Sequence, residues 1–180
     1  NDDWACEVSR RYHVPVHEYD CFDPARPICD GGKFVFHNEC VGNRTGNRES
    51  RFFDTLENQI SKNGDTGRRV LIKMDIEGGE WESLLAAPDE LLASIPQLAM
   101  EMHGFDDPKI LEALRKLKRN FYLVNLHFNN WSCTTKAAPL PAWAYQTHWV
   151  NKRIGVLDPT VPVPAPISPL NAPDSTTRPD

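Results

Sequence analysis

The sequence predicts an α/β fold in which a mostly parallel sheet is covered by helices on both faces. Apolar segments typical of buried strands alternate with segments whose apolar residues recur at helical spacing. The last two predicted strands follow each other with no helix between them, which indicates an antiparallel strand at that end of the sheet. The 180 residues are enough for one domain with a hydrophobic core.

The predicted elements follow one another in a regular order. The helices are 3–12, 50–64, 80–87 and 107–119, with an extra turn at 89–94. The strands are 14–22, 33–40, 69–75, 97–103, 121–128 and 143–150. Ser50 is the predicted N-cap of the second helix, which Gly64 ends, and Asp107 with Pro108 opens the fourth.

Composition separates a folded part, 1–156, from a C-terminal segment, 157–180. That segment is rich in Pro, Ser, Thr and Asp and has no aromatic residue, which predicts a disordered, extended tail. The net charge of −5 gives no general attraction to nucleic acid. No apolar run approaches the roughly 18 residues that a membrane span requires, so the sequence predicts neither a nucleic-acid partner nor a membrane span.

The cysteines leave two alternatives open. There are five of them and none forms a CxxC pair, which argues against a structural zinc site. They fit scattered reduced thiols, or one or two disulfides with a thiol left over, for example a bond between Cys29 and Cys40. Glycosylation triplets begin at Asn43 and Asn130, and they favour the secretory pathway, Golgi lumen or outside the cell, slightly over the cytoplasm.

Polar residues collect where the predicted strands end. They are Asp20, Asp23, Asp75, Glu77, Glu101, His103, His127, Asn129 and Asn130, with His148 on the last strand. Because the carboxyl ends of parallel strands meet at one edge of a sheet, where such folds bind ligands, these side chains are candidates for a shared site. An acid or histidine there can take a proton from a substrate hydroxyl. The alternative is a divalent metal held by Asp75, Glu101 and a nearby histidine.

The stretch "LIKMDIEGGEWESLL", 71–85, divides into parts with different roles. Its two glycines allow a sharp turn after the strand. Glu80 and Glu82 lie in the first turn of the next helix, where the helix dipole favours acids, and this placement is sufficient to explain them. Asp75 and Glu77 precede that turn, so they remain as candidate site residues.

The same stretch resembles the signature of FkbM-type methyltransferases. Together with "EYDCFDP" and "LVNLHFNNW", in this order along the chain, it resembles the eukaryotic methyltransferase-like branch of that group, from about residue 4 to 153. The resemblance implies a Rossmann-like class I methyltransferase sheet, mostly parallel with an antiparallel last strand, that binds S-adenosylmethionine. It also implies methyl transfer to a hydroxyl of a sugar or small metabolite, with a glycan or small molecule as the partner.

The resemblance also implies roles for individual residues. Asp23 would hydrogen-bond the ribose hydroxyls of S-adenosylmethionine, and the segment 37–41 would lie near the adenine. Asp75 and Glu77 complete the predicted cofactor-binding residues, with Asp75 near the reacting methyl group. The residues predicted to act on the acceptor are Asp75, Glu101, His103 and His127. His127 or His103 is the predicted base, while Asp75 and Glu101 orient the acceptor or bind a metal.

The sequence departs from the family pattern in one respect. No glycine-rich loop of the form GxGxG precedes Asp23, so the first strand of the family and its loop have no counterpart here. One interpretation is a chain that is incomplete at its N terminus. The alternative is a degenerate methyltransferase fold that acts as a non-catalytic binding domain. A third hypothesis, a metal-dependent hydrolase, has no paired motif such as HExxH to support it.

Overall fold

The computed structural model describes residues 3–160 and 171–178, and it is an α/β protein. Contacts divide the chain into an N-terminal unit, 1–66, and a C-terminal unit, 67–180. The sequence predicted a single folded unit over 1–156, whereas the structure divides these residues between two units. The division falls in the turn-forming segment between the last helix of the first unit and the first strand of the second.

The N-terminal unit contains two small sheets. Its elements are α1 (Asp3–Tyr12), β1 (Pro15–Tyr19), β2 (Lys33–His37), β3 (Cys40–Val41), β4 (Gly46–Arg48), β5 (Arg51–Asp54) and α2 (Leu56–Lys62). Strands β1 and β2 pair in parallel. Strand β5 is the centre of the other sheet, parallel to β3 and antiparallel to β4.

The prediction of a helix from Ser50 was wrong at its start. Residues 51–54 form β5, and α2 begins at Leu56 with Thr55 as its N-cap, whose side chain accepts a hydrogen bond from the amide of Asn58. Phe52 and Phe53 pair with β4 instead of continuing the helix stripe. Short apolar runs of this kind fit both periodicities, and the cap decides where the helix starts.

Two disulfides lie in the N-terminal unit. They join Cys6 to Cys29 and Cys21 to Cys40, so the pairing of Cys29 with Cys40 that spacing suggested is wrong. The remaining thiol, Cys133, is exposed. Structural disulfides are typical of proteins in an oxidising environment.

Gly32 lies directly against the first of these disulfides. A Cβ at this position would stand 2.2 Å from Sγ of Cys29, closer than any packing allows. We therefore expect Gly32→Ala to lower the free energy of unfolding by about 1–3 kcal/mol, as overpacking does. Urea denaturation of the oxidised protein measures this loss. In a Cys6→Ala, Cys29→Ala background the same substitution should cost much less, and equal costs in the two backgrounds would contradict the steric explanation.

The C-terminal unit is built on a four-stranded sheet. Its elements are β6 (Ile72–Met74), α3 (Glu80–Ala86), α4 (Asp89–Ser94), β7 (Gln97–His103), α5 (Pro108–Asn120), β8 (Phe121–Phe128) and β9 (Ala144–Asn151). The strand order is β6-β7-β9-β8. Strands β6 and β7 are parallel, and β9 runs antiparallel to both β7 and β8. Strands β6, β7 and β8 therefore run in the same direction and only β9 runs in the opposite one. This confirms the prediction of a mostly parallel sheet whose last strand in the chain is antiparallel.

The two faces of this sheet differ in polarity. Leu98, Met100 and Met102 of β7 alternate towards one face and are buried, as is Trp149 of β9, which pairs with Leu98. The opposite face carries a row of three polar residues across the sheet, because Glu101 pairs with Gln146 and Gln146 pairs with His127. The predicted site residues of β7 and β8 therefore share one face.

Part of the predicted C-terminal tail packs on this unit. The side chains of Asn171 and Asp174 hydrogen-bond to β8 and β9, at 3.0 Å and 2.8 Å, and Ser175 is buried against Asn130. Residues 171–178 thus differ from the predicted disordered tail, because their polar groups find partners on the sheet. The predicted disordered tail also includes 161–170 and 179–180, which lie outside the described residues. None of the described helices has the length and hydrophobicity needed to cross a bilayer.

Candidate active site

Four predicted site residues meet at the carboxyl edge of the four-stranded sheet. The Nε2 atom of His103 lies 3.9 Å from Oδ1 of Asp75, 3.7 Å from Oε2 of Glu77 and 3.9 Å from Oε1 of Glu101. Parallel pairing of β6 with β7 produces this meeting, because Met74 is level with Met100 and the next residue of each strand is an acid. We call Asp75, Glu77, Glu101 and His103 the edge cluster.

Glu80 is the buried partner that holds the edge cluster together. Its side chain is fully buried, and it accepts hydrogen bonds of 3.0 Å from the amides of Ile76 and Gly78. Its Oε1 also lies 3.0 Å from Nδ1 of His103. The explanation of Glu80 as an ordinary acid at a helix start was therefore insufficient. Its spacing of four from buried Leu84 was the signal in the sequence, since that spacing places Glu80 on the inward face of α3.

Contact with Glu80 sets the orientation of the His103 ring. A carboxylate only accepts hydrogen bonds, so Nδ1 donates to Glu80 and, in the neutral ring, Nε2 carries the lone pair. The His103 side chain is only 9% exposed, and its Nε2 faces the carboxylates of Asp75 and Glu77. The ring centroid of Trp143 lies 5.9 Å from that of His103.

The turn after β6 has a strained backbone. Glu77 has φ of +54° and Gly78 has φ of +100°. The left-handed conformation costs a non-glycine residue about 1–2 kcal/mol. Such strain occurs often at functional sites, and here it belongs to the residue whose side chain is 82% exposed beside Nε2 of His103.

Negative charge shifts the protonation of the edge cluster. Burial raises the pKa of Asp75, and the charge of Glu101 raises it further. Burial alone would lower the pKa of His103, but the hydrogen bond and charge of Glu80, with the charges of Glu77 and Asp75, outweigh it and raise the pKa above its ordinary value. The edge cluster therefore attracts positive charge, whether a proton or a cation.

The end of β8 reaches the edge cluster through Asn129. Its Nδ2 donates to Oε1 of Glu101 at 2.8 Å, and its Oδ1 accepts from the amide of Trp131 at 2.8 Å. Trp131 and Trp143 are 59% and 40% exposed, and they contact Asn129 and His103, respectively. The guanidinium of Arg178 lies over the ring of Trp131, 4.2 Å from its centroid. Asn129 thus fixes the carboxylate of Glu101 on the side of the edge cluster that is nearest the end of β8.

His127 lies on the same face but outside the edge cluster. It is buried in β8, two residues before Asn129, and Gln146 of β9 separates it from Glu101 in the cross-strand row. Burial and the charge of Glu101 raise the pKa of Asp174, while the charge of His127 lowers it. His127, Glu101 and Asp174 therefore interact electrostatically on one face of the sheet.

Asp23 belongs to the N-terminal unit and follows β1, as predicted. It is exposed, its Oδ1 accepts from the amide of Ala25 at 2.8 Å, and Asp20 holds the preceding loop through the amides of Phe22 and Asp23. The Cys21–Cys40 disulfide fastens this loop to β3. Asp23 and the edge cluster belong to different units of the chain.

The N-terminal unit also contains a group of stacked aromatic side chains that the sequence did not predict. The ring of His37, at the end of β2, stacks on Tyr19 with centroids 4.4 Å apart, and its Nε2 lies 3.0 Å from Nδ1 of His17. Burial and the charge of His17 lower the pKa of His37. Tyr19 and His37 end β1 and β2 and are partners in their parallel register, so parallel pairing of the two predicted strands was the signal that could have revealed the pair.

No protein-family model, curated protein or solved structure matches the chain.

Proposed function

We propose that the protein transfers a methyl group from S-adenosylmethionine to a hydroxyl acceptor bound at the edge cluster. The observation that carries this proposal is the position of the cluster. It lies at the carboxyl edge of a mostly parallel sheet, where ligands bind in α/β folds. Two of its residues, Asp75 and Glu77, belong to the "DIEGGEW" segment between β6 and α3, and this segment carries the resemblance to FkbM-type methyltransferases.

The resemblance assigns cofactor-binding residues in each unit. Asp23 is an exposed carboxylate after β1, and a carboxylate can accept hydrogen bonds from both hydroxyls of a ribose. The segment 37–41, which the Cys21–Cys40 disulfide holds beside that loop, would lie near the adenine. By the same resemblance, Asp75 and Glu77 would lie near the methionine part and the reacting methyl group.

The reaction needs a base and little other chemistry from the protein. When bound, S-adenosylmethionine would supply the methyl group to the acceptor oxygen, and the electron pair of the broken carbon–sulfur bond would stay on sulfur. The hydroxyl proton would pass to His103 or His127, which lie on one face of the sheet. A third histidine on this face, His148, pairs with Ala99, towards the opposite end of β7. Asp75 and Glu101 would orient the acceptor, since positioning supplies much of the acceleration in such transfers.

Two exposed indoles support a sugar as the acceptor. Trp143 lies beside His103, and Trp131 is hydrogen-bonded through its amide to Asn129, the partner of Glu101. Aromatic rings with an apolar face and a polar edge suit the flat apolar faces of sugars. A glycan or sugar-containing metabolite is the acceptor class that follows.

Calorimetric titration of the full-length protein with S-adenosylmethionine tests the proposal. We expect binding to weaken about tenfold or more in Asp23→Ala, which loses hydrogen bonds to the ribose. Asp30→Ala is the matched control, because Asp30 is an exposed acid in the same unit. Unchanged binding in Asp23→Ala, or equal losses in both variants, would contradict the cofactor role of Asp23.

The alternative is a degenerate methyltransferase fold that serves as a non-catalytic binding domain. One observation favours it: within residues 3–160 and 171–178, β1 pairs only with β2, in a two-stranded sheet. In a doubly wound sheet the strand that carries the phosphate-binding loop is a further strand of the same sheet. A full-length protein that binds no S-adenosylmethionine would support this alternative and contradict methyl transfer.

A further inference from the structure

We propose that Asp75, Glu77 and His103 of the edge cluster bind a divalent transition-metal cation. The proposal rests on the geometry of these three side chains and of Glu80, and it holds whether or not the protein is a methyltransferase. One ligand atom from each of the three residues lies within 4.8 Å of the others.

The distances at His103 suit a shared ion. Its Nε2 lies 3.9 Å from Oδ1 of Asp75 and 3.7 Å from Oε2 of Glu77. Two ligand atoms that each stand about 2.1 Å from one ion are at most about 4.2 Å apart, so both of these distances are short enough for an ion to lie between the two atoms. Both distances are too long for a hydrogen bond, so the three groups interact through charge and leave room for an ion between them.

The Nε2 atom of His103 is the second, independent indication of a ligand. Its ring is more than nine-tenths buried, and among the described residues this nitrogen has no hydrogen-bond partner within 3.5 Å. Glu80 takes the Nδ1 proton, so the lone pair on Nε2 points towards two carboxylates that can donate nothing. A cation satisfies all three groups at once, and a carboxylate that orients a histidine in this way is typical of metal sites.

The ligand set indicates the class of metal. One imidazole nitrogen with two carboxylate oxygens suits Mn²⁺ or Zn²⁺ better than Mg²⁺, which prefers oxygen ligands and retains several waters. Glu101 lies 3.9 Å from the same Nε2, but its Oε1 accepts a hydrogen bond from Asn129. Glu101 therefore adds negative charge beside the ion, while Asn129 fixes the orientation of the Glu101 carboxylate.

A bound cation restricts the mechanism of the proposed methyl transfer. The lone pair of Nε2 in His103 cannot hold a metal and accept a proton at the same time. If the proposed function holds, the base is then His127, on the same face of the sheet. The cation would polarise the acceptor hydroxyl and make its proton easier to remove.

Titration of the full-length protein with Mn²⁺ tests this site. The protein is first dialysed against a chelator, and Mn²⁺ is used because the exposed thiol of Cys133 would compete for Zn²⁺. Electron paramagnetic resonance should report one bound Mn²⁺ per chain. Glu77→Gln should weaken binding at least about tenfold. Glu80→Gln, which changes the hydrogen-bond partner of His103 but removes no proposed ligand, should weaken it about 10–100-fold.

Matched variants make the result interpretable. Glu112→Gln is the control, because Glu112 is an exposed acid on α5 outside the edge cluster, and it should bind Mn²⁺ like the unchanged protein. Glu77 is largely exposed, so Glu77→Gln should fold normally even where His103→Ala does not. Absence of binding at millimolar Mn²⁺, or equal weakening by Glu77→Gln and Glu112→Gln, would overturn the proposal. No S-adenosylmethionine is present, so neither result depends on methyl transfer.

Discussion

Replacing Glu80 with Ala should lower the free energy of unfolding of the C-terminal unit by about 3–5 kcal/mol. The carboxylate is fully buried and is the acceptor for the amides of Ile76 and Gly78 and for Nδ1 of His103. Its removal leaves three donors without their acceptor in a buried place, and each unsatisfied group costs about 1–3 kcal/mol. Urea denaturation followed by the fluorescence of buried Trp81 in α3 measures the loss.

Two companion variants separate the hydrogen bonds of Glu80 from its charge and helix position. Glu82→Ala, in the same first turn, should cost less than about 1 kcal/mol, because the ion pair of Glu82 with Lys109 is partly exposed. Glu80→Gln keeps an acceptor oxygen, so its cost should fall between the two. Equal costs for Glu80→Ala and Glu82→Ala would show that the network around Glu80 contributes little.

Asp54→Ala should produce a loss of similar size in the N-terminal unit, about 3–5 kcal/mol. Asp54 is fully buried, and its Oδ1 accepts hydrogen bonds from Thr45 at 2.6 Å, Asn58 at 2.8 Å and the amide of Thr55 at 2.9 Å. Its Oδ2 lies 2.7 Å from Nζ of Lys62. The carboxylate thus fixes the loop before β4 to the start of α2, and its removal leaves donors from both without a partner.

The pH dependence of stability provides an independent test of Asp54. Burial alone would raise its pKa, but hydrogen bonds from Lys62, Thr45, Asn58 and Thr55 outweigh burial and hold the pKa well below its usual range. A carboxyl whose pKa is lowered by folding stabilises the protein above its unfolded pKa, about 3.9, and loses this contribution as the pH falls through the folded value.

The difference in melting temperature between the unchanged protein and Asp54→Asn should therefore be largest near neutral pH. It should narrow as the pH falls below about 4. Glu57→Gln, an exposed position on α2, is the control and should change the melting temperature little at any pH. If the difference in melting temperature between the unchanged protein and Asp54→Asn does not change with pH, the proposal that the charge of Asp54 stabilises the fold is wrong.

Sequence reasoning located the edge cluster because it needs only strand order and direction. Asp75, Glu77, Glu101 and His103 each follow or end an apolar strand, and parallel neighbours place such residues together. The antiparallel last strand was also predictable from the missing helix before it. These features depend on local pattern and on topology, which a single sequence contains.

Sequence reasoning did not predict features that depend on tertiary contacts. The direction of Glu80 follows from the left-handed turn at Glu77 and Gly78, which turns the carboxylate back onto its own loop. The partners of Cys29 and Cys40 follow from how α1 and the loop after β1 pack, and spacing does not determine this. Both cases require distances between residues that are remote in the chain or separated by a turn.

The hydrogen bonds of Asn130 make its glycosylation triplet a reporter of folding. Its Nδ2, the atom to which an N-linked glycan attaches, donates to the carbonyls of Ser175 and Arg178, and Asn130 is 2% exposed. A glycan at this nitrogen and the docked 171–178 segment therefore exclude each other. In a secretory compartment, molecules that carry a sugar at Asn130 would be those modified before the segment docked, so glycan occupancy would record the order of the two events.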